Sequence, residues 1–298
     1  MTILNKFFGK SGQQSTEEQI KHLGFEISTC PETCDDCTSK FPKSLSFEES
    51  DKLWQSTKPY GLHLNVSTGR TDWPHDATGT SGTLSHAVAS WASKHGDTPI
   101  GTIKVTCSSF ASDEMFTDED YITEQTGDVL VLPYFLWIKG LKVSEVDKVL
   151  TKLVSILSST DHDKLQVSDI QAQIPQIIPD VNKAYILLCS HRTRDKRCGI
   201  TAPIMKREME MYLRELDLYR DMCDTSPGGV NVGFINHIGG HKYAANVIIY
   251  LKLSGRNIWL ALCKPNNVRP IIDECILHGG KVWPDKVRLV QKFNPIEW

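Results

Sequence analysis

Two cysteines and two histidines in the second half of the chain have the residue types and spacing of a metal centre. They are Cys189, Cys198, His237 and His241. Thiolates and imidazoles are the ligands of zinc sites and of some iron–sulfur clusters. Neither pair is specific alone, because a strand cysteine often serves only to fill a core and two histidines often lie on a surface loop. Taken together, the four side chains predict a Cys₂His₂ centre.

The segment between the two cysteines is predicted to be a ligand-binding loop. Cys189 follows an apolar strand predicted over residues 184–188, and Cys198 immediately precedes a helix predicted over residues 201–216. Loops after the strands of α/β sheets bind ligands, and a helix N-terminus stabilises a thiolate. Four basic side chains of this loop are expected to stabilise a reduced centre or to dock an acidic redox partner, with an ordinary solvated surface as the alternative. They are Arg192, Arg194, Lys196 and Arg197.

The two histidines flank adjacent glycines in the sequence HIGGH. This spacing would place both rings on one face of a helix, but two glycines cost about 2 kcal/mol of helix propensity, so a loop is predicted. A glycine-rich loop lets the backbone approach a bulky cofactor closely. A zinc protease is excluded, because its HExxH motif requires glutamate at the position of Ile238.

Two metals remain open for this ligand set. Zinc sites usually have cysteines two to four residues apart, so the eight residues between Cys189 and Cys198 fit them loosely. The gap suits a [2Fe–2S] cluster, whose irons take separate ligand pairs. Rieske proteins show that two histidines can replace two cysteines on such a cluster, although the Rieske spacing is absent here.

Three more cysteines lie close together near the N-terminus. Cys30, Cys34 and Cys37 have a spacing that suits an accessory zinc site or redox-active thiols, but they supply only three ligands. Unstructured thiols are the default interpretation. The other four cysteines are isolated and predicted to be small core residues.

The order of predicted elements indicates an α/β protein with two similar halves. The first half has strands over residues 62–68, 102–107 and 129–135 and helices over 81–94 and 143–157. The second has strands over 184–188, 230–235, 246–253 and 258–262 and helices over 201–216 and 268–277. This order is compatible with two thioredoxin-like domains. STGRTD after the first strand of one half also matches SHRTRD after that of the other.

We predict four regions from this pattern. They are a flexible arm over residues 1–20, a degenerate N-terminal thioredoxin-like domain over 21–160, a polar linker over 161–180 and a C-terminal thioredoxin-like domain over 181–298, which contains the candidate metal ligands. The first half has no cysteine at the corresponding place, so the cofactor is assigned to the second half.

Bulk composition limits the function classes. The chain has 298 residues, of which 40% are apolar, and a net charge of −3, so it has the composition of a globular protein without a basic surface for nucleic acid or an anionic membrane. No apolar run reaches the 20 or so residues that cross a bilayer, and no secretory signal is evident. Nine cysteines without an export signal argue against a disulfide scaffold. We expect a cytoplasmic location, with the nucleus as an additional one.

Several segments resemble the sucrase/ferredoxin-like family, specifically its eukaryotic actin-patches-distal type. They are CSHRTRDKRCGITAP and VGFINHIGGHKYAANVIIY in the second half and KPYGLHLNVSTGRTDWPHD and VLVLPYFLWIKGL in the first. The resemblance covers most of residues 25–298 and implies a thioredoxin-like ferredoxin with a [2Fe–2S] cluster. It assigns the ligands to Cys189, Cys198, His237 and His241, with the cysteines on one iron and the histidines on the outer one.

This ligand set has consequences for redox chemistry. Two thiolates leave the oxidised cluster neutral, whereas four would leave two negative charges, so the potential should lie nearer the range of roughly −150 to +300 mV of histidine-ligated centres than the about −400 mV of plant-type ferredoxins. The free ring nitrogens of His237 and His241 are expected to couple proton uptake to reduction. We therefore predict an electron-transfer protein with unidentified donor and acceptor proteins rather than a stand-alone enzyme. A zinc-stabilised interaction module and a thiol–disulfide oxidoreductase are the alternatives.

The C-terminal residues resemble a recognition tripeptide. Ile296, Glu297 and Trp298 are similar to the tail by which cytosolic iron–sulfur proteins reach the assembly targeting complex. An exposed tryptophan beside a free carboxylate makes a good small anchor. The alternative is a C-terminus that folds back onto the domain.

Overall fold

Two copies of one α/β motif make up the structure, a computed structural model that describes residues 14–159, 165–239 and 242–296. The first element of the described residues is α1 (Thr16–His22), and the first copy contains β1 (Leu62–Ser67), α2 (Leu84–Lys94), β2 (Asp97–Thr98), β3 (Gly101–Ser108), α3 (Glu114–Thr117), α4 (Glu119–Ile122), β4 (Thr126–Leu132), β5 (Leu136–Lys142), α5 (Val146–Leu157), α6 (Val167–Gln173) and β6 (Ile177–Pro179). The second copy contains β7 (Ala184–Cys189), α7 (Lys196–Glu215), β8 (Tyr219–Arg220), β9 (Val230–Ile235), β10 (Val247–Leu251), β11 (Arg256–Leu260), α8 (Val268–Pro270) with a π-helical continuation (Ile271–Leu277), and β12 (Val287–Lys292).

The strands of the described residues form one sheet in the order β12-β11-β10-β7-β9-β3-β1-β4-β5-β6, with β2 beside β3 and β8 beside β9. In each copy the first strand is parallel to one neighbour in the sheet (β1 to β3, β7 to β9) and antiparallel to the other (β1 to β4, β7 to β10). The predicted α/β class with two thioredoxin-like halves is therefore confirmed. The copies meet where β3 pairs with β9 at Ser108 and Ile235.

Alternate residues of each strand face two different cores. In β7, Ile186 and Leu188 pack in a core with α7, whereas Tyr185 and Leu187 belong to an aromatic core that both copies share. Across this shared core, His63 Nδ1 of β1 lies 2.8 Å from Tyr250 Oη of β10. The sheet therefore folds at the junction of β3 and β9, so the inner faces of the two copies pack against each other.

The predicted apolar face of α5 is confirmed. Its spacing of three and four residues matches the helical period, so the predicted side chains lie on one stripe. The five that are buried against the first copy's sheet are Val146, Val149, Leu150, Leu153 and Leu157.

The predicted linker contains regular structure. Residues 160–164 lie outside the described part of the chain, but α6 and β6 lie within residues 161–180. Ile170 and Ile177 are fully buried in the first copy's core, and β6 extends the sheet beside β5. Burial of these isoleucines outweighs the polar composition on which the linker was predicted.

The predicted arm over residues 1–20 also contains regular structure in its described part. Residues 1–13 lie outside that part, and α1 begins at Thr16 after a capping box formed by Ser15 and Glu18. Ile20 of α1 is fully buried in the second copy's core.

Each end of the described chain packs in the core of the copy that is farther away in the sequence. Phe25 packs in the second copy's core, and Ile27 bridges to Val282. Ile296, in contrast, packs in the first copy's core. Packing therefore does not follow the predicted boundaries at residues 160 and 181, and the division into two domains remains a prediction. Among the described residues, the helices lack the length and apolar character needed to span a bilayer.

Candidate metal centre

Two neighbouring parallel strands position the first two candidate ligands. β7 ends at Cys189, which is in register with Ile235 at the end of β9. His237 follows two residues later, and the carboxyl ends of parallel strands share one edge of the sheet, where ligands bind. As a result, Cys189 Sγ lies 3.6 Å from His237 Nδ1.

Helix α7 brings the third ligand. Its N-cap is Asp195, whose carboxylate accepts the Arg197 N–H at 2.9 Å. The helix consequently begins at Lys196 rather than at residue 201, so Cys198 lies in its first turn rather than before it. Pro203 therefore lies in the interior of the helix.

The three side chains form a compact donor set. The ligand atoms of Cys189, Cys198 and His237 all lie within 4.8 Å of one another, which is suitable for a metal ion. His241, the fourth predicted ligand, lies outside the described residues. Two thiols and an imidazole at this spacing fit the chemistry of the predicted centre.

The two thiols are buried, whereas the imidazole lies nearer the surface. Cys198 is 0% exposed and Cys189 is 4% exposed, while His237 is half-buried. The hydrogen bond from Cys189 is the largest influence that lowers the pKa of Cys198, to about 6. The same hydrogen bond and burial raise the pKa of Cys189. This contact favours the thiolate form of Cys198, and metals bind cysteine in that form.

His191 orients His237, and sequence reasoning missed it. Its Nδ1 accepts the backbone N–H of His237 at 3.2 Å. Its Nε2 donates to the carbonyl oxygens of Trp73 and Pro74, each at 3.0 Å. Burial lowers the pKa of His191, which favours this neutral tautomer. The only sequence signal was a histidine two residues after the candidate ligand Cys189. Two of its three partners, Trp73 and Pro74, are more than a hundred residues away in the sequence.

Asn236 ties the histidine loop to the first copy. Its side-chain oxygen accepts the N–H of Cys107 at 2.7 Å, and its own N–H donates to the Cys107 carbonyl at 3.1 Å. Its amide group also donates to the His237 carbonyl at 3.3 Å. The residue before the ligand is thus fixed on β3.

The loop after β1 holds the loop after β7. Thr193 donates through its N–H (3.1 Å) and its hydroxyl (2.8 Å) to the carboxylate of Asp72. The hydroxyl of Ser190 donates to the Thr71 carbonyl at 2.7 Å. The first copy therefore contributes positioning groups to a site whose described ligands all come from the second.

Comparison with known proteins shows the family to which the chain belongs. The sucrase/ferredoxin-like family model matches residues 53–289. The chain belongs to the sucrase/ferredoxin-like family. It is 31% identical to Actin patches distal protein 1 of Saccharomyces cerevisiae, over 99% of both chains. It is also 32% identical to Altered inheritance of mitochondria protein 32 of Clavispora lusitaniae, over 50% of this chain and 48% of the relative. No solved structure matches.

The four basic residues of this sucrase/ferredoxin-like protein have different surroundings. Arg192 is exposed and lies against Gly199, where an added Cβ would come within 2.3 Å of the Arg192 Cβ. Lys196 is exposed, and Arg197 pairs with Asp195 at 2.8 Å. The loop therefore needs glycine at position 199 to approach α7.

An open polar cavity adjoins the centre. It has a volume of about 500 Å³, and its lining includes His75, Arg194, His191 and His237. Arg194 Nη1 lies 2.8 Å from the His75 ring. The half-buried ligand therefore faces a cavity bordered by a cation.

On the other side, apolar groups shield the thiols. Cys189, Cys198 and Ala244 form a small cluster on which Phe47 packs. Behind them, a cavity of about 10 Å³ is lined by residues that include Trp259 and Asn246. The thiols are consequently kept from bulk water.

Two predicted motifs lie elsewhere. Cys34 Sγ and Cys37 Sγ are 3.8 Å apart, whereas no three-ligand group of the described residues includes Cys30. Burial, followed by the hydrogen bond with Cys34, raises the pKa of Cys37 to about 11. In the C-terminal tripeptide, Ile296 is only 3% exposed, and Glu297 and Trp298 lie outside the described residues.

Proposed function

We propose that this protein transfers electrons through a [2Fe–2S] cluster held by Cys189, Cys198, His237 and His241. The observation that supports the proposal is the convergence of two buried thiols and one half-buried imidazole within 4.8 Å. The ferredoxin-like family match agrees with it. Such a cluster supplies one-electron chemistry when it is bound.

The surrounding residues suit this role. The buried thiols lie on the apolar side, so the face that a redox partner reaches is that of His237 and the open cavity. Arg192 and Lys196 are exposed beside it and favour a partner with an acidic surface. The donor and acceptor are accordingly proposed to be acidic proteins.

We also propose that reduction is coupled to protonation of the histidine ligands. A metal-bound imidazole has a second nitrogen that can take up a proton, and added negative charge nearby favours the protonated form. The reduction potential should fall as pH rises between about 6 and 9. A potential that stays constant over this range would contradict the coupling and leave electron transfer itself intact.

A single zinc ion is the second candidate, because the same 4.8 Å spacing also suits one tetrahedral ion. The purified full-length protein distinguishes the two. A [2Fe–2S] protein should be red-brown, contain iron and acid-labile sulfide in equal amounts and lose visible absorption with dithionite. A colourless protein with one zinc per chain would overturn the proposed function in favour of a zinc-stabilised module.

We propose that the tail Ile296-Glu297-Trp298 recruits the cytosolic iron–sulfur assembly targeting complex, which implies a cytoplasmic protein that also has access to the nucleus. The burial of Ile296 requires recognition to rest on the last two residues or on release of Ile296. Deletion of Trp298 should lower cluster occupancy in cells and leave reconstitution in vitro unchanged. Equal occupancy in cells would contradict the role of the tail.

A further inference from the structure

Cys34 and Cys37 form a second thiol pair that the metal centre does not use. Their sulfur atoms are 3.8 Å apart, and both side chains are half-buried and so accessible. A disulfide bond is about 2.05 Å long, so thiols in contact need only a small side-chain movement to form one. Among the described residues, no third histidine, cysteine or carboxylate joins the pair within metal-ligand distance. A reaction that needs only two thiols therefore fits better than a metal site.

The pair lies on a segment that is fastened to the second copy. The Cys34 N–H donates to the Asn266 carbonyl at 2.8 Å. Before the pair, the Glu32 carbonyl accepts the Asn267 amide at 2.7 Å, and the Cys30 carbonyl accepts the Trp283 indole N–H at 2.8 Å. These contacts fasten the segment from Cys30 to Cys34 to the second copy.

We propose that Cys34 and Cys37 are a redox-active dithiol that exchanges with small organic disulfides such as glutathione disulfide. The thiolate of one cysteine attacks a sulfur of the external disulfide, forming a mixed disulfide and releasing one thiol. The second cysteine then attacks its neighbour's sulfur, forming the Cys34–Cys37 bond and releasing the second thiol. Two electrons pass from the protein to the external disulfide, and the two thiol protons end on the released thiols.

Mass spectrometry of the full-length protein tests this reaction. After equilibration in buffers with increasing glutathione disulfide, the peptide containing both cysteines should lose two hydrogens and regain them with dithiothreitol. Cys37→Ser should trap Cys34 as a mixed disulfide with glutathione, and Cys223→Ser, which changes an exposed cysteine, should leave the Cys34–Cys37 bond unaffected. Persistence of both free thiols, or pairing of either with Cys30, would overturn the proposal. The peptide contains no proposed cluster ligand, so the result is independent of the proposed function.

An independent observation concerns a buried cation. Arg288 on β12 is 0% exposed, and it donates to the Asn246 side-chain oxygen at 2.8 Å and to the hydroxyl and carbonyl of Ser56 at 2.9 and 3.2 Å. All three acceptors are uncharged, and none of the carboxylates in the described ranges forms an ion pair with it. A buried charge without a counter-charge is costly, so a neighbouring group that gains negative charge would be stabilised by Arg288.

The position of Arg288 places it close to the candidate metal ligands. Its guanidinium carbon lies 5.0 Å from the centre of a Trp259 ring, and Lys104 Nζ lies 5.7 Å from a ring of the same residue. Trp259 lines the small cavity behind the centre together with Cys189 and His237. Two cations therefore flank the aromatic residue directly behind the candidate ligands.

We infer that Arg288, supported by Lys104, compensates the negative charge of the electron that the centre accepts. The inference rests on the proposed function, since it assigns these cations to the environment of the cluster. A nearby cation stabilises the reduced state more than the oxidised one, because the reduced state has one more negative charge.

Reduction potentials of full-length variants test this role. Arg288→Gln should lower the reduction potential by about 59 mV, which corresponds to a tenfold weaker affinity for one electron. Arg288→Lys should retain most of the wild-type potential. Lys104→Gln, at a less buried position, should shift the potential in the same direction by less. Arg256→Gln, at the opposite end of β11 from Trp259, should leave it unchanged.

Cluster content separates the two possible failures. A wild-type protein without iron and sulfide would contradict the proposed function and this inference with it. Fully loaded Arg288→Gln and Lys104→Gln variants with the wild-type potential would contradict only the role of the cations.

Discussion

The loops after β1 and β7 occupy equivalent places in the two copies but do different work. Both contain related sequences, STGRTD from Ser67 and SHRTRD from Ser190. Only the six residues 190–195 separate β7 from α7, so Cys189 and Cys198 remain close. Sixteen residues, 68–83, separate β1 from α2, and this longer loop reaches the other copy.

The difference shows how a repeated fold can divide its tasks. The loop of the second copy connects two candidate ligands, Cys189 at the end of β7 and Cys198 in α7. That of the first offers the Asp72 carboxylate and the carbonyls of Thr71, Trp73 and Pro74. These groups hold His191 and Thr193 beside the ligands. One copy thus provides the donor atoms, and the other restricts where those atoms can lie.

The largest expected effect is at a ligand of the second copy. Cys198→Ser should abolish stoichiometric metal binding, because it removes the thiolate at the N-terminus of α7. Metal per chain, measured by elemental analysis, provides the test. Cys223→Ser is the control, since that cysteine is exposed and isolated. Full metal content in Cys198→Ser would show that Cys198 of the second copy is not a metal ligand.

The next effect concerns the contact between the loops. His191→Ala leaves every candidate ligand in place but removes the acceptor of the His237 N–H. Loss of such an outer-shell partner typically lowers metal affinity 10- to 100-fold. Competition with a chelator measures the affinity, with His22→Ala as an exposed control. Unchanged affinity would mean that the first copy does not position His237 through this residue.

The buried side chain of His63 in the first copy should make the free energy of unfolding depend on pH. Burial lowers the pKa of His63 from 6.5 to about 3, so the folded protein keeps it neutral where the unfolded chain binds a proton. Stability should therefore fall as pH drops from about 6.5 towards 3, by up to about 1.4 kcal/mol per pH unit from this group. Denaturant unfolding of His63→Gln should show a correspondingly shallower decline.

His22→Gln serves as the matched control for this pH series, because His22 is exposed on α1. Its unfolding free energy should decline with falling pH as steeply as that of the wild type. Equal slopes for His63→Gln and the wild type would contradict the assignment of a neutral His63 between Tyr250 and Thr106.

The smallest effect is expected for the carboxylate of the first loop. Asp72→Ala removes two hydrogen bonds to Thr193 at a partly exposed site, so the free energy of unfolding should fall by about 1 to 2 kcal/mol. Asp113→Ala is the control, because Asp113 is exposed and makes no capping hydrogen bond. Equal stability of the two variants would show that the loops touch without stabilising each other.

Local sequence patterns predicted the local parts of this molecule. The period of α5 determined its buried face, and cysteine and histidine spacing led to a donor set of which three members converge. The capping box of Ser15 and Glu18 was also visible in the sequence, although the polar composition around it indicated a loose arm.

Contacts between distant segments were beyond this reasoning. Ile170 and Ile177 have no strong period, and their burial depends on β5, to which β6 pairs. The roles of His191 and Asn236 likewise depend on partners in the other copy, at Trp73 and Cys107. A sequence pattern specifies which residues share a face, but it does not specify which distant face they meet.

The narrow junction between β3 and β9 has a consequence for biosynthesis. Asn236, one residue before a ligand, is held by the Cys107 backbone beside that junction. The ribosome completes β3 long before β9, so the first copy can serve as a template on which the later segment is set in place. A chain whose early half has misfolded would then not present a finished site, so loading of the proposed cofactor would act as a checkpoint on folding.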